Sequence, residues 1–233
     1  MALNDSRQGV IFDLDGVLID SGWAHKQAWF DLAEKEGLRM SDEFFYNTFG
    51  MQNVQIIPML VGKDLPPDEL ENLSEWKEQR YRSLISGKLV LSPGAEDLLH
   101  ELKENGFLLA IGSSAPKANL DIIFQRLKLD HYIDAAVTKE EVAKGKPDPE
   151  TFLRAARKLS LAPRDCVVVE DAIPGIEAGR AAGMMVVALT TTRDREDLLG
   201  ADMVVDGLNE LKAADFVGLL AGRSRKEDCL EFQ

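Results

Sequence analysis

The feature that most constrains this chain is a set of six short apolar runs, each continuous rather than alternating. They are Val10-Ile11-Phe12, Leu108-Leu109-Ala110-Ile111, Ala135-Ala136-Val137, Val167-Val168-Val169, Met185-Val186-Val187-Ala188 and Met203-Val204-Val205. A strand with one wet face alternates apolar and polar residues. A run that is apolar throughout fits a strand covered on both faces, as in a parallel sheet. Amphipathic helical patterns separate most of the runs: Ala95 to Asn105 (closed by Gly106), Asn119 to Leu129, Pro149 to Leu159 and Ile173 to Ala182. Strand alternating with helix predicts an α/β domain on a doubly wound parallel sheet.

The stretch from Ser21 to Leu91 breaks this rhythm. It carries helical patterns at Trp23 to Glu36, Ser41 to Phe49, Val54 to Leu60 and Pro67 to Ile85, and no strand pattern. That is far more chain than a crossover between two parallel strands needs, roughly a dozen residues. The reading is therefore an α/β core from residues 1–20 and 92–221, with an all-helical cap (21–91) inserted after the first strand. The hinges fall near Asp20-Ser21 and Ser92-Pro93-Gly94, and residues 222–233 are expected to be a polar, frayed tail. A length of 233 residues suits a main domain plus one smaller unit.

Charge narrows the partners. With 27 basic and 40 acidic residues the formal charge is −13, and no basic cluster offsets it. Such a field repels nucleic acid and anionic membranes, and no apolar run is long enough to cross a bilayer. The opening Met1–Gln8 stretch lacks the pattern of a secretory signal. Two cysteines, Cys166 and Cys229, make no disulfide framework, and Cys166 reads as a small core residue. A cytoplasmic monomer is the default.

In open α/β sheets ligands bind beyond the carboxyl ends of the strands. The first strand ends in Asp13-Leu14-Asp15-Gly16, the second in Gly112-Ser113-Ser114 and the fourth in Glu170-Asp171. The loop after the third carries Lys144-Gly145-Lys146-Pro147. Each alone has an ordinary explanation: a turn, a helix cap or a loop. Four acids, two hydroxyls and a lysine on one sheet edge are hard to explain as packing. Asp13 and Asp171 can give Mg²⁺ hard oxygen ligands, and the metal offsets repulsion between a phosphate and an anionic nucleophile. Ser113, nearby backbone N–H groups and Lys146 suit the equatorial oxygens of a transferring phosphoryl group. Asp13 can form an aspartyl-phosphate, and Asp15 can protonate the leaving oxygen and then activate water. A small phosphorylated metabolite is the expected partner.

Phe12-Asp13-Leu14-Asp15-Gly16-Val17-Leu18-Ile19-Asp20-Ser21 resembles motif I of the haloacid dehalogenase superfamily. Ser113 matches its motif II hydroxyl, Lys146 its motif III lysine and Glu170-Asp171 its motif IV acids. The run from Asp171 to Gly179 resembles the extended motif IV of the β-phosphoglucomutase-like subfamily. The resemblance implies a Rossmann-like core under a cap that closes during turnover. It also implies a metal held by Asp13, the Asp15 backbone carbonyl and Asp171, with Glu170 in support.

Asp15 points to a phosphate ester, because dehalogenases and phosphonate hydrolases of the superfamily typically lack a carboxylate there. The choice is then phosphatase or phosphomutase, with an inactive ligand-binding relative as a third reading. A mutase cap must hold a second phosphate, best with an Arg. The family's cap Arg position falls on Asn53, which favours a phosphatase unless Arg80, Arg82 or Lys77 substitutes. Ser21, Ser114, His25 and Asn53 complete the expected substrate contacts; His25 can equally be a packing residue. Trp23 is a candidate for the substrate entrance, and His100 and His131 are given no role.

Overall fold

The computed structural model describes residues 7–230, with side chains as far as residue 223. Most of the Met1–Gln8 stretch and the Cys229 side chain lie outside the described residues. Six strands form one sheet: β1 (Gly9–Phe12), β2 (Leu108–Gly112), β3 (Ala135–Val137), β4 (Cys166–Glu170), β5 (Met185–Leu189) and β6 (Met203–Val205). The order is β3-β2-β1-β4-β5-β6, and every pairing is parallel.

The continuous apolar runs are explained by burial on both faces. Val10, Phe12, Ile111, Val167 and Val169 face one apolar cluster, while Ile11, Ala110, Cys166 and Val168 face another. Helices α5 (Ala95–Glu104), α6 (Lys117–Leu127) and α9 (Ala213–Leu230) cover the first through residues such as Leu98, Leu99, Ile123 and Phe216. Helices α7 (Glu150–Lys158) and α8 (Ile173–Ala181) cover the second through Phe152, Ala155 and Ile176. The sheet is doubly wound, as expected. Its order reverses at the β1–β4 junction, where such sheets open a crevice at their carboxyl ends.

Register sets the site. Phe12 lies opposite both Ile111 and Val169, and the Asp13 N–H donates to the Val169 carbonyl at 2.9 Å. The residues that follow these three strands therefore emerge level with one another.

Between β1 and α5 lie four helices: α1 (Gly22–Lys35), α2 (Asp42–Thr48), α3 (Asn53–Val61) and α4 (Pro67–Ile85). They enclose their own apolar cluster of Trp29, Leu32, Phe45, Phe49, Ile56, Ile57 and Leu73. The two connections to the sheet run side by side: Ile19 bridges Leu91 in antiparallel fashion, and the Ser92 N–H donates to the Leu18 carbonyl at 2.9 Å. The tail differs from expectation. Rather than fraying at Gly222, α9 continues to Leu230, while residues 231–233 lie outside the described ones. Buried Phe216 and Leu220 anchor its first half, and the sequence beyond Gly222, with two Arg, a Lys, a Glu and a Leu and no Pro or Gly, lets the helix continue.

Candidate active site

One cavity lies where the sheet edge meets the helical insertion. Its walls include Asp13, Asp15, Ser113, Ser114, Lys146, Glu170 and Asp171 from the sheet side. His25, Trp29, Asn53, Lys77 and Glu78 face them from α1, α3 and α4. Asp13 is buried, and the Lys146 ammonium donates to its Oδ1 at 2.5 Å and to Glu170 Oε1 at 2.8 Å. The other Glu170 oxygen accepts the backbone N–H groups of Asp171 and Ala172 at 2.7 and 2.8 Å. Both Glu170 oxygens are thus engaged, and the residue fixes Lys146 and the start of α8.

The carboxylates outnumber their counter-charge. Burial raises the Asp13 carboxyl to about 7, with Lys146 opposing and Glu170 and Asp15 adding to the rise. Burial, with Glu170 and Asp13 close by, likewise holds Asp171 well above the usual carboxylate range. Despite its burial, Lys146 is kept above its ordinary value by Asp13 and Glu170. Asp171 Oδ2 is buried with no hydrogen-bond partner among the described residues.

These observations fit a divalent cation: an orphaned oxygen, and two carboxyls short of positive charge. No group of three or more His, Cys, Asp or Glu side chains is arranged to hold a metal among the described residues. The set implied by resemblance needs only two carboxylates and a backbone carbonyl, and Mg²⁺ takes its remaining oxygens from water and phosphate. Gly16 makes room for this arrangement. Its φ is +88°, which favours glycine, and a Cβ there would collide with Asp171 Oδ2.

Asp15, two residues from Asp13, lives among different partners. Its Oδ1 accepts from Ser21 Oγ at 2.6 Å and Tyr81 Oη at 2.8 Å, and lies 3.1 Å from His25 Nε2. Burial alone would raise this carboxyl, but His25 and the two hydroxyl donors outweigh it and hold it well below the usual range. His25 stacks on Tyr81 with ring centroids 3.9 Å apart, and its Nδ1 lies 2.8 Å from Lys77 Nζ. Nδ1 of His25 thus faces the Lys77 ammonium while Nε2 faces Asp15.

Lys77 and Glu78 continue this chain of contacts. Lys77 donates to Glu78 Oε1 at 2.8 Å, and both side chains are buried. Asn53 Nδ2 donates to the same oxygen at 2.8 Å. Asn119 Nδ2, on α6 of the core, donates to Oε2 at 2.6 Å, and its own Oδ1 accepts from Arg82 at 3.0 Å. The insertion is therefore tied to the core beside the cavity.

The structure brings together Asp13, Asp15, Ser113, Ser114, Lys146, Glu170, Asp171, His25 and Asn53. Ser113 Oγ accepts the Ala115 N–H at 3.0 Å and keeps its own proton to donate, while Ser114 Oγ is buried without a partner among the described residues. Ser21 is a correction. Expected at the substrate, it is fully buried behind Asp15, because its hydroxyl turns inward to a carboxylate already taken out of water. Trp23 is a second correction: it is 40 % exposed outside the cavity, and Trp29 lines the wall instead. Arg80 pairs with Asp31 at 2.5 Å and Arg82 with Glu75 at 2.6 Å, and neither lines the cavity. Tyr81, Glu78 and Asn119 were missed. For Tyr81 and Glu78 the signal was polar residues on or beside the buried stripe Leu73-Lys77-Tyr81-Ile85 of α4; Asn119, on α6, carried none.

A family model for haloacid dehalogenase-like hydrolases matches residues 10–189, and the chain belongs to that family. It is 34% identical over 212 residues to the β-phosphoglucomutase of Bacillus subtilis, covering 88% of this chain and 91% of that protein. It is 32% identical over 208 residues to hexitol phosphatase A of Escherichia coli, covering 88% of this chain and 93% of that one. Among solved structures, a family IA hydrolase from Entamoeba histolytica superposes with a TM-score of 0.85 at 27% identity. That match covers 92% of this chain and 99% of the other.

Proposed function

We propose that this enzyme is a Mg²⁺-dependent phosphatase that hydrolyses a small phosphorylated metabolite, a sugar phosphate in class, through an aspartyl-phosphate on Asp13. The observation that carries the reading is the pair of carboxylates at the end of β1, held by separate partners: Asp13 by Lys146 and Asp15 by Ser21, Tyr81 and His25. Without metal or substrate, Asp13 has the raised proton affinity and Asp15 the lowered one. A divalent cation at Asp13 and a phosphate arriving near Asp15 would reverse that order, as a nucleophile and an acid/base require.

Asp13 attacks phosphorus in line, and Ser113 and Lys146 neutralise the equatorial oxygens. An arriving phosphate raises the proton affinity of Asp15, which takes up a proton from solvent and then gives it to the leaving oxygen. Once the alcohol has left, Asp15 takes a proton from water, and that water splits the acyl phosphate. Asp13, the Asp15 carbonyl and Asp171, with Glu170 in support, would hold Mg²⁺, which would supply charge neutralisation between nucleophile and phosphate. The helices of residues 21–91 act as the cap that closes over this chemistry. Trp29, Phe49 and Ile56 line its wall and help exclude bulk water.

Water, rather than a second sugar hydroxyl, is the acceptor in this reading. Asn53 is bound to Glu78, neither Arg80 nor Arg82 lines the cavity, and Lys77, which does, is paired with Glu78. A cytoplasmic monomer is part of this proposal; among the described residues no helix is long and apolar enough to cross a membrane.

The test is inorganic phosphate release from p-nitrophenyl phosphate and a panel of sugar and polyol phosphates, with Mg²⁺ and with EDTA. We expect turnover that needs Mg²⁺ and a loss of at least about 10³-fold in Asp13→Asn with unchanged circular dichroism. Near-wild-type turnover in that variant would sink the mechanism. Conversion of glucose 1-phosphate in the presence of the 1,6-bisphosphate, without phosphate release, would establish the mutase alternative.

A further inference from the structure

The cavity wall opposite Asp13 holds a carboxylate that the hydrolytic chemistry does not use. Glu78 is buried, with Oε1 taken by Lys77 and Asn53 and Oε2 by Asn119. Lys77, the cation on that wall, is equally committed. It donates to Glu78, meets His25 at 2.8 Å, and lies 5.2 and 5.6 Å from the ring centroids of Trp29 and Tyr81. The lysine at the other end of the cavity, Lys146, is bound to Asp13 and Glu170. Among the described residues, the cavity lining carries five carboxylates (Asp13, Asp15, Glu78, Glu170, Asp171) against these two lysines.

We propose that Glu78 is a specificity-determining residue that restricts the leaving group to uncharged, hydroxyl-bearing molecules and rejects those carrying a second anionic group. The inference rests on the phosphatase reading and refines its substrate class. A carboxylate or second phosphate reaching this wall needs a cation to receive it. Lys77 keeps one N–H beyond His25 and Glu78, but its charge is already matched by Glu78. A second anion there sits beside a buried carboxylate with no further cation to offset it, which is strongly unfavourable. A hydroxyl has no such requirement. It can share the amide of Asn53, and the buried, unpartnered Ser114 Oγ provides another polar contact within the same cavity. Because Asn119 belongs to the core, displacing Glu78 also loosens the tie that holds the helical insertion against the sheet. The wrong substrate therefore loses both contact and closure.

The experiment compares sorbitol 6-phosphate with 6-phosphogluconate, which differ by a terminal CH₂OH against a carboxylate, using p-nitrophenyl phosphate as a common reference. For the wild-type chain we expect kcat/KM, or competition against p-nitrophenyl phosphate, to favour the neutral member by at least about tenfold. In Glu78→Gln the ratio should fall at least about fivefold towards unity, whatever happens to absolute rates. General damage lowers both members together and leaves the ratio in place. Glu78→Asp, which keeps the charge, should retain the preference. Equal handling of the pair by the wild-type chain, including equal failure to compete, overturns the proposal, as does an unchanged ratio in Glu78→Gln. Absence of p-nitrophenyl phosphate turnover in the wild type would instead strike at the phosphatase reading itself.

Discussion

At the scale of single residues, the site turns on two aspartates that differ only in company. Asp15 has three donors on one oxygen, and Tyr81 is the one that sequence reading passed over. Removing its hydroxyl should raise the proton affinity of Asp15, because a donor to the charged form is lost. For Tyr81→Phe we expect the acid limb of the kcat–pH profile to move to higher pH and kcat to fall about 10- to 100-fold, with KM little changed. One buried hydrogen bond to a charged group is worth about 1.5–3 kcal/mol. An acid limb that stays in place would show that Tyr81 only packs. Cys166 gives a second residue-scale prediction. Burial, with Asp165 nearby, pushes its thiol up to about 12, so it should resist thiol reagents until the chain unfolds. The strand-end residues were legible because their chemical types and order carry information before any geometry is known. Ser21 was misread because sequence gives adjacency to a site but not the direction a hydroxyl turns.

At the scale of elements, the sheet was legible from continuous apolar runs, since burial on both faces leaves no polar period. Phe152 on α7 is fully buried against β1 and β2 partners such as Ile11 and Ala110. Phe152→Ala should cost about 3–5 kcal/mol in denaturant unfolding, and a loss below about 1 kcal/mol would mean the face is not packed as described. Helix α4 was harder to read. A lysine and a glutamate inside an amphipathic pattern normally mark its wet side, yet Lys77 and Glu78 are buried because each supplies the other's charge. Burial by itself would raise the Glu78 carboxyl, but Lys77, His25 and the Asn119 hydrogen bond bring it down to about 2. A depressed carboxyl stabilises the fold above its unfolded value, 4.5, and that contribution disappears as pH falls through about 2. Acid unfolding followed by circular dichroism should therefore show a limb in this window, shallower in Glu78→Gln. An identical limb in that variant would remove Glu78 from the account.

At the scale of the whole molecule, the unbalanced carboxylates give the opposite slope near neutrality. The fold raises Asp13 from 3.8 to about 7 and raises Asp171 too, so metal-free protein binds more protons folded than unfolded. Its stability should fall as pH climbs from about 4 towards 7. Mg²⁺ at about 100 times its Kd at pH 7.5 should add about 2.7 kcal/mol, or roughly 5–10 °C in Tm, and the same concentration should add less at pH 5.5, where protons compete for the carboxyls. A Tm gain that is absent or independent of pH would contradict this. Beyond charge, the pairing of Ile19 with Leu91 has a consequence of another kind. The chain leaves the sheet and returns to it through neighbouring segments tied to each other, so the sheet spans the same short gap whatever lies between. A relative's insertion grafted between these two segments should keep the phosphoryl chemistry only where it brings donors equivalent to Ser21, His25 and Tyr81 to Asp15, while its other cavity residues change which alcohol is released.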